Sequence, residues 1–573
     1  MVLETKPPAA ANPFEGFKPN FGRKTVTITF EGEDGGQPTS HTIPLPGEGA
    51  AELVGHFVDS MDISKYLERF SRFGRSPTGQ RMMLKILVYA NTQGVRSTRG
   101  AERLCKTGAG AIWLLGGERA PDHSTISRHR AALAEGGAMD ALGQQAKMLL
   151  ACEEITLGEV FQDGTKLESF AGRYTFVWRG SVEKYLGKAL AKARASAAEA
   201  SILLGQAPES WAAEGSTGEV PLAGLASLAI SLRGRMAFCG VEAVAGKGKR
   251  KSDMQRAAEG LEALVLAIGR YRGHLGVMGE GRNSYSKTDP DATFMRMKDD
   301  HMRNGQLKPA YNLQFAVASE YIVGATLSQD RNDMATLRPM IELLASFDLW
   351  FERYVADSGY DSEENFELLE IMAIAAFITP SDREARKKKS FKNKVSRREN
   401  MAYDEASDTC TCANGKALHF TGTKKRKSRT GYVSEVSTCR CESCEGCPYK
   451  GEPYTKGEKA KVAEKGGPKP IICSRAKGDK VMEVSKRYIV LRERSRLQVE
   501  SCEGALLRVN RSIQSEGAFS AFKCAFGFNR LFTKGLELAL CEVALQCLAM
   551  NVMKLLSKKK RGKLGSHLHP LKE

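Results

Sequence analysis

The sequence lacks a long uninterrupted apolar run and an N-terminal export signal. Its most apolar stretch, residues 536–556, is interrupted by Glu537, Glu542 and Lys554, and a membrane interior tolerates such charges poorly. We therefore expect a buried helix there. Residues 1–20 contain no apolar core of signal-peptide length. These absences predict a cytoplasmic protein with no membrane partner.

The composition excludes further classes of protein. Apolar residues make up 42% of the chain and charged residues 27%, which is typical of a soluble globular protein. A collagen-like chain, a wholly disordered chain and a small disulfide scaffold are excluded. The length of 573 residues suggests about three or four domains. Because the cytoplasm keeps thiols reduced, we expect the 14 Cys to be free thiols or metal ligands.

Acidic residues are in deficit. The chain has 85 Lys+Arg against 67 Asp+Glu, so its formal net charge is +18 and its isoelectric point is near 9.2. A basic balance of this size favours a polyanionic partner, with nucleic acid ahead of a membrane surface. A basic enzyme without such a partner is the alternative.

The sequence pattern divides the chain into five parts. They are a disordered lead with a short hairpin over 1–50, a helical DNA-binding domain over 51–150, a mixed α/β segment over 151–380 with a helical insertion at 186–280, a basic Cys-rich insertion over 381–485, and helices with a basic tail over 486–573. In the third part an antiparallel strand pair precedes strand–helix–strand crossovers. That order predicts a mixed sheet covered by helices.

The end of the helical part favours a helix-turn-helix. Short helices with glycine-containing turns lead to a basic helix within residues 121–130, PDHSTISRHR. Asp122 or Ser124 would cap this helix. Ser124, Arg128 and Arg130 would then face DNA. An ordinary helical bundle with a solvated basic face is the alternative.

Residues 173–185, RYTFVWRGSVEKY, mix basic and aromatic side chains. This mixture suits base stacking beside phosphate contacts, for which Trp178 is the candidate. The competing interpretation, a strand that packs its aromatic side chains into the core, fits the pattern slightly better.

Three carboxylates and one lysine are the candidate catalytic groups. Asp163 and Asp357 each end a predicted strand and precede a glycine-containing turn. Catalytic groups gather at this edge of α/β sheets, and two carboxylates there can share divalent cations such as Mg²⁺. Glu516 and Lys523 are seven residues apart on a predicted helix, so they project from one face. Each signal is weak by itself, because most Asp residues in turns are structural.

Other carboxylates compete for this role. They are Glu168, Asp289, Asp291, Asp330 and Asp333. Asp289 and Asp291 are the strongest competitors. They rank lower because they precede a hairpin strand rather than end one.

Taken together and in order, several of these segments resemble bacterial insertion-sequence transposases of the DDE class, in the insertion-sequence 1182/5-like group. The segments are PDHSTISRHR, FQDGTKLES, RYTFVWRGSVEKY, VADSGYDSEEN and RSIQSEGAF. The resemblance covers roughly residues 55–185 and 285–556. It implies a ribonuclease-H-like catalytic core, an N-terminal helical domain, and metal-dependent DNA cleavage followed by attack of a freed 3′-hydroxyl on target DNA.

The resemblance assigns roles to individual residues. Asp163, Asp357 and Glu516 match the catalytic carboxylates, which bind Mg²⁺ or its substitute Mn²⁺, and Lys523 matches a downstream lysine. The family's upstream arginine corresponds best to Arg511. This match is imperfect, because Arg511 lies five residues before Glu516 and so off its face of a regular helix. Val509 stands where the family often has tyrosine.

The resemblance also implies partners and leaves alternatives open. The DNA partners would be the terminal inverted repeats and target DNA, bound by a homodimer associated with the bacterial nucleoid. A DNA-binding protein derived from a transposase that no longer cuts is the first alternative. A ribonuclease-H-type nuclease without strand transfer is the second.

Seven of the 14 Cys lie within residues 410–473. Cys441, Cys444 and Cys447 follow a C-x₂-C-x₂-C spacing, and a structural Zn²⁺ needs a fourth ligand, for which Cys412 is preferred over Cys473. The alternative is a set of reduced thiols in a loop-rich insertion.

Overall fold

The computed structural model describes residues 11–20, 25–30, 39–44, 49–67, 79–212, 219–246, 250–297, 305–404, 407, 409–451, 471–475 and 477–571. Strands β1 (Thr25–Phe30) and β2 (Thr39–Pro44) pair antiparallel, as the alternating pattern predicts. The turn expected between them lies outside the described residues. The expectation of a disordered lead is wrong for residues 11–20, because Phe17 stacks on His56 at 4.9 Å and Phe14 also packs on the core.

Seven helices follow among the described residues up to residue 151. They are α1 (Ala50–Ser60), α2 (Ser64–Leu67), α3 (Gln80–Thr92), α4 (Thr98–Thr107), α5 (Ala109–Leu115), α6 (His123–Ala134) and α7 (Gly137–Ala151). Gly108 joins α4 directly to α5 and Gly116 ends α5 in a left-handed conformation. These glycines set the short turns on which the helix-turn-helix prediction rests.

The central sheet has six strands among the described residues. They are β3 (Glu159–Glu168), β6 (Thr293–Arg296), β7 (Leu307–Ala318), β8 (Tyr321–Ser328), β9 (Arg353–Ala356) and β10 (Ala375–Ile378). Its main path runs β10–β9–β3–β7, where β3 is parallel to β9 and antiparallel to β7, and where β6 and β8 pair with successive segments of β7. Helices α11 (Leu337–Ser346) and α12 (Glu363–Ile371) make the crossovers. This mixed α/β topology is consistent with a ribonuclease-H-like fold.

Two additional units interrupt the sheet in sequence. Strands β4 (Phe176–Trp178) and β5 (Ser284–Ser286) pair and enclose three long helices, α8 (Arg179–Leu204), α9 (Leu222–Phe238) and α10 (Asp253–Met278), which have an apolar core of their own. After β10 come the short helices α13 (Arg383–Arg386) and α14 (Lys389–Lys392). A five-stranded antiparallel sheet then follows, formed by β11 (Ala402–Asp404), β12 (Thr409–Thr411), β13 (Ala417–Lys427), β14 (Val433–Cys441) and β15 (Val481–Val484).

The C-terminal part returns to the central sheet. Helix α15 (Lys486–Glu500) is followed by α16 (Cys502–Arg511), which continues through a π-helical turn at Ser512–Glu516, an α-helical turn at Gly517–Ser520 and a second π-helical turn at Ala521–Ala525. The last helix, α17 (Leu536–Lys560), is long and apolar enough to span a membrane by length and composition, but 72% of its most apolar window is buried in the protein. It is therefore a core helix, as expected.

The helical N-terminal part and the central sheet share one hydrophobic core. Buried residues of α1 to α7, of β7 and β8 and of α17 form a single contiguous cluster. Two buried ion pairs fix α17 within it, Arg96–Glu542 at 2.7 Å and Lys558–Glu154 at 3.2 Å. The domain boundary that the sequence pattern placed at residue 150 therefore does not separate two hydrophobic cores.

Candidate active site

Strand register places Asp163 beside Asp357. Gln162 of β3 is the parallel partner of Ala356, the last residue of β9. The residues that follow this pair are Asp163 and Asp357. Neighbouring strands lie about 4.8 Å apart, which brings the two carboxylates close together. The expectation that β3 ends at Asp163 is wrong, because β3 continues to Glu168 as the antiparallel partner of β7.

Both aspartates accept hydrogen bonds from the backbone N–H groups of nearby glycines. Asp163 Oδ1 accepts a hydrogen bond from Gly164 at 2.7 Å, and Asp357 Oδ1 accepts one from Gly359 at 2.8 Å. A Cβ atom at position 164 would lie 2.1 Å from Nε2 of Gln314, so a larger residue there would displace this buried, hydrogen-bonded side chain. These contacts set the direction of each carboxylate.

Glu516 is joined to Asp163 through Arg511. Nη1 of Arg511 lies 3.2 Å from Oδ2 of Asp163, and its Nη2 lies 3.9 Å from Oε1 of Glu516. The five-residue spacing does not suit a regular helix, but Ser512–Glu516 is a π-helical turn, whose i to i+5 repeat aligns residues 511 and 516. The structure thus explains how Arg511 reaches the site despite its imperfect match to the family pattern.

The underwound helix also changes the expectation for Lys523. This residue is half-buried in the second π-helical turn, Ala521–Ala525. Because part of the segment from Glu516 to Lys523 is π-helical, a spacing of seven residues does not equal two regular helical turns here. The spacing argument that placed Lys523 on the same face as Glu516 therefore does not hold. Its role in binding phosphate stays a prediction.

Asp333 is a fourth carboxylate at this site, which sequence reasoning ranked among the competitors. Its Oδ1 accepts hydrogen bonds from Asn312 at 2.7 Å and Gln314 at 3.0 Å, and Lys166 lies 3.5 Å away. A Cβ atom at Gly359 would lie 3.4 Å from Oδ2 of Asp333 and 3.0 Å from Oδ1 of Asp357. Two carboxylates therefore converge on one point.

The buried Tyr360 reports the same concentration of negative charge. Burial raises its pKa well above the usual value, and the carboxylates of Asp333, Asp163 and Asp357 raise it further. Its hydroxyl donates a hydrogen bond to Gln314, which in turn donates to Asp333. No local sequence signal marks Asp333, since it lies in the loop between β8 and α11 and reaches the site only through the sheet.

The donor set fits a hard divalent cation. Carboxylate oxygens are the ligands that Mg²⁺ prefers, and among the described residues no donor hydrogen-bonds Oδ2 of Asp357. Glu516 is also accessible, with 62% of its side chain exposed. As the side chains stand, however, no group of three or more His, Cys, Asp or Glu within the described ranges is arranged to hold a metal ion.

Asp289 and Asp291 have structural contacts. Asp289 is buried, accepts hydrogen bonds from the Tyr311 hydroxyl at 2.9 and 3.0 Å and from the N–H of Gly535 at 3.1 Å, and has its pKa raised by burial. Asp291 accepts from the N–H of Leu536 at 2.9 Å. The pair therefore binds the N-terminus of α17, where negative charge is stabilising.

The predicted DNA-reading helix is α6. Asp122 caps it by accepting a hydrogen bond from the N–H of Thr125 at 2.8 Å. Ser124 and Arg128 are exposed on its surface. Arg130 is half-buried and donates to the backbone oxygen of Arg96 at 3.4 Å, so its guanidinium is directed into the protein rather than along the exposed face.

Trp178 belongs to a half-buried aromatic cluster. Its ring lies 5.7 Å from that of Phe294 and 6.0 Å from that of Phe176. These contacts favour the core interpretation over an open stacking platform.

Five cysteines from separate segments line one cavity of the Cys-rich sheet. They are Cys412, Cys441, Cys444, Cys447 and Cys473. The N–H of Lys480 donates to Sγ of Cys444 at 3.2 Å, and the N–H of Cys473 donates to the backbone oxygen of Tyr449 at 2.7 Å. The structure thus brings together the four candidate zinc ligands and also the alternative ligand, Cys473.

Comparison with protein families agrees with this architecture. Two family models, each described as a transposase DDE domain, match residues 282–442 and 411–556, and a model described as a transposase domain (DUF772) matches residues 41–132. These matches together span more than half of the chain. The chain belongs to the DDE transposases. No curated protein and no solved structure matches it at a significant level.

The matched ranges of this transposase include two of its three candidate catalytic carboxylates. The DUF772 match extends from β2 into α6, and the DDE matches contain Asp357 and Glu516. Asp163 falls in the interval 133–281, between the matched ranges. Its assignment therefore depends on its position beside Asp357 and on its contact with Arg511.

Proposed function

We propose that this transposase cleaves DNA at the ends of its element with Mg²⁺ and joins the freed end to target DNA. The observation that supports the proposal is that Asp163 and Asp357 follow paired residues of neighbouring strands and that Arg511 links Asp163 to Glu516. A concentration of carboxylates at one sheet edge is suited to two-metal phosphoryl transfer.

Asp163, Asp357 and Glu516 would hold Mg²⁺, with Mn²⁺ as a substitute. When bound, the cation activates the attacking oxygen and stabilises the leaving oxygen. Arg511 offsets the charge of Asp163 and Glu516 and keeps the helix at a fixed distance from β3. The Gly164 and Gly359 N–H groups orient the two aspartates, and Lys523 would bind a phosphate.

The DNA contacts would be of two kinds, sequence recognition and phosphate binding. Ser124 and Arg128, exposed on α6, would read the terminal inverted repeats, and the basic residues of 386–398 would bind backbone phosphates of either DNA. Because transposition brings two ends together, the active form would be a homodimer. Arg130 and Trp178 are weaker candidates, given their inward contacts. A structural Zn²⁺ at the thiol-lined cavity is the remaining part of the proposal.

The experiment is a cleavage and joining assay on DNA that carries the repeats flanking the gene. Mg²⁺-dependent cuts at the repeat ends and strand-joined products are expected. DNA binding without cleavage would leave a catalytically silent binding protein. Cleavage that never yields joined product would leave a ribonuclease-H-type nuclease.

A further inference from the structure

The outer end of the Cys-rich sheet is a two-stranded ribbon. Cross-strand pairing joins β13 to β14 from Lys424↔Val436 to Lys427↔Val433, whereas β15 pairs with β14 only between residues 437 and 440. We call residues 423–437 the basic ribbon. Every residue from 423 to 430 is exposed. A two-stranded ribbon is one of the shapes that the DNA major groove admits.

The basic ribbon carries an excess of positive charge. Five of the six residues 424–429 are Lys or Arg. Two of the five are paired, Lys424 with Glu483 and Arg429 with Asp330. Lys425, Arg426 and Lys427 have no carboxylate within ion-pair distance in the part of the chain that the structure describes, although Glu435 is the cross-strand neighbour of Lys425. Three adjacent like charges repel one another unless an anion binds them.

The tip of the ribbon is anchored beside the carboxylate site. Arg429 binds Asp330 at 2.6 Å, three residues before Asp333. The Thr430 hydroxyl donates to Glu364 near the start of α12, the helix that follows the Asp357 turn. The ribbon is thus fixed to the loop that carries Asp333 and to the first turn of α12, the helix after Asp357, while Lys425, Arg426 and Lys427 stay exposed to solvent.

We propose that the basic ribbon is a duplex-DNA-binding arm that holds DNA against the carboxylate edge of the central sheet. Its cations would contact phosphates, which supply sequence-independent affinity and orientation. This inference rests on the proposed function and adds a DNA contact that family matching does not assign. The acidic edge repels phosphates until cations bind it, and an adjacent cationic arm would offset that repulsion.

The test removes the free cations and keeps the anchors. The triple variant Lys425→Ala, Arg426→Ala, Lys427→Ala leaves Lys424 and Arg429 in place. A matched control, Lys188→Ala, Lys192→Ala, Arg235→Ala, removes the same charge from the exposed surface of α8 and α9. Binding of a synthetic duplex is measured by fluorescence anisotropy over a salt series without added Mg²⁺, so that no cleavage occurs and any zinc in the Cys-rich sheet stays bound. Circular dichroism checks that both variants fold.

We expect the ribbon variant to lower the slope of log affinity against log salt by about 2–3, at about 0.9 for each phosphate that is no longer neutralised, and the control to lower it by less than about 1. Equal reductions in the two variants would mean that only net charge matters and would overturn the inference. So would unchanged duplex binding together with abolished binding to anionic phospholipid vesicles, which would assign the ribbon to a membrane surface. If the wild-type protein binds no duplex, the proposed function itself fails.

Discussion

The two large sheets of this chain differ in what covers them. In the central sheet, β7 is buried from Pro309 to Ala318 because helices pack on the sheet. In the Cys-rich sheet, β13 is exposed over most of its length after Leu418, and the buried core consists mainly of cysteines. The first sheet fixes side chains through burial and register. The second exposes a charged surface, and its stability depends on its cysteine-rich core and on its contacts with the rest of the protein.

This difference in burial suits the central sheet to catalysis and the Cys-rich sheet to binding. A buried sheet holds carboxylates at fixed positions because strand register and packed helices leave them little freedom. A small sheet with few apolar residues has little hydrophobic stabilisation of its own. We therefore expect changes in the central sheet to abolish catalysis, and changes in the Cys-rich sheet to alter affinity or local stability.

The largest expected effect is at the carboxylates of the central site. Asp163→Asn, Asp357→Asn and Glu516→Gln should each lower Mg²⁺-dependent cleavage by about a thousandfold or more, equivalent to about 4 kcal/mol, because an amide is a poor ligand for Mg²⁺. Duplex binding should persist, since the basic surfaces are unchanged. Cleavage rates and anisotropy on the same preparations provide the measurement.

Asp291→Asn is the matched control, because an amide oxygen can still accept the hydrogen bond from Leu536. Its cleavage rate should stay within about tenfold of wild type. Near-wild-type cleavage by any of the three carboxylate variants would remove that residue from the site.

A smaller decrease is expected at Arg511. Arg511→Lys keeps the charge but cannot reach Asp163 and Glu516 with one planar group, so cleavage should fall by about 100-fold, or about 2.7 kcal/mol. Arg508→Lys, on the same helix, is the control and should stay near wild type, because within the described part of the chain Arg508 donates only to the backbone oxygen of Gly504. Equal rates for the two variants would show that the π-helical alignment has no part in positioning the carboxylates.

The next prediction concerns DNA recognition. Arg128→Ala should reduce the preference for element ends over random duplex by roughly 1–3 kcal/mol, the usual range when a specific base contact is removed. The double variant Lys388→Ala, Lys392→Ala should weaken all duplexes equally and lower the salt slope by about 1.8. Competition binding with both DNAs measures these effects. The opposite pattern would mean that α6 binds backbone phosphates and that residues 386–398 recognise the sequence.

The smallest effect on cleavage is expected at the cysteines. Zinc bound at the thiol-lined cavity would stabilise a sheet that has few apolar residues. Elemental analysis of protein purified without added metal should then give about one Zn²⁺ per chain. After chelation and return of Mg²⁺, cleavage should be only partly impaired, whereas proteolysis within residues 400–475 should accelerate. Absence of zinc together with fully titratable native thiols would contradict this prediction.

Cys412→Ser and Cys473→Ser decide which thiol completes the site with Cys441, Cys444 and Cys447. The sequence favours Cys412, which lies just before a turn at Asn414-Gly415, whereas the structure also brings Cys473 to the cavity. The variant that no longer binds zinc identifies the ligand, and full zinc content in both variants would exclude both thiols.

Local sequence was enough to predict much of the secondary structure and the helical insertion. Period-two alternation marks β1, β2 and β7, and a run of apolar residues marks α17, because these patterns record which face of an element is buried. The short motifs around Asp163, Asp357 and Glu516 were also sufficient to suggest a DDE transposase. Family matching bears out that resemblance.

Only the tertiary structure decided how these residues meet. Parallel register between β3 and β9 places Asp163 beside Asp357, and a π-helical turn brings Arg511 onto the face of Glu516. Asp333 reaches the site through a loop with no local signal, and Arg130 turns inward although its helix is basic. Sequence patterns report burial along one element. Contacts between elements depend on register, helical twist and loop path, which are set by the packing of the whole chain.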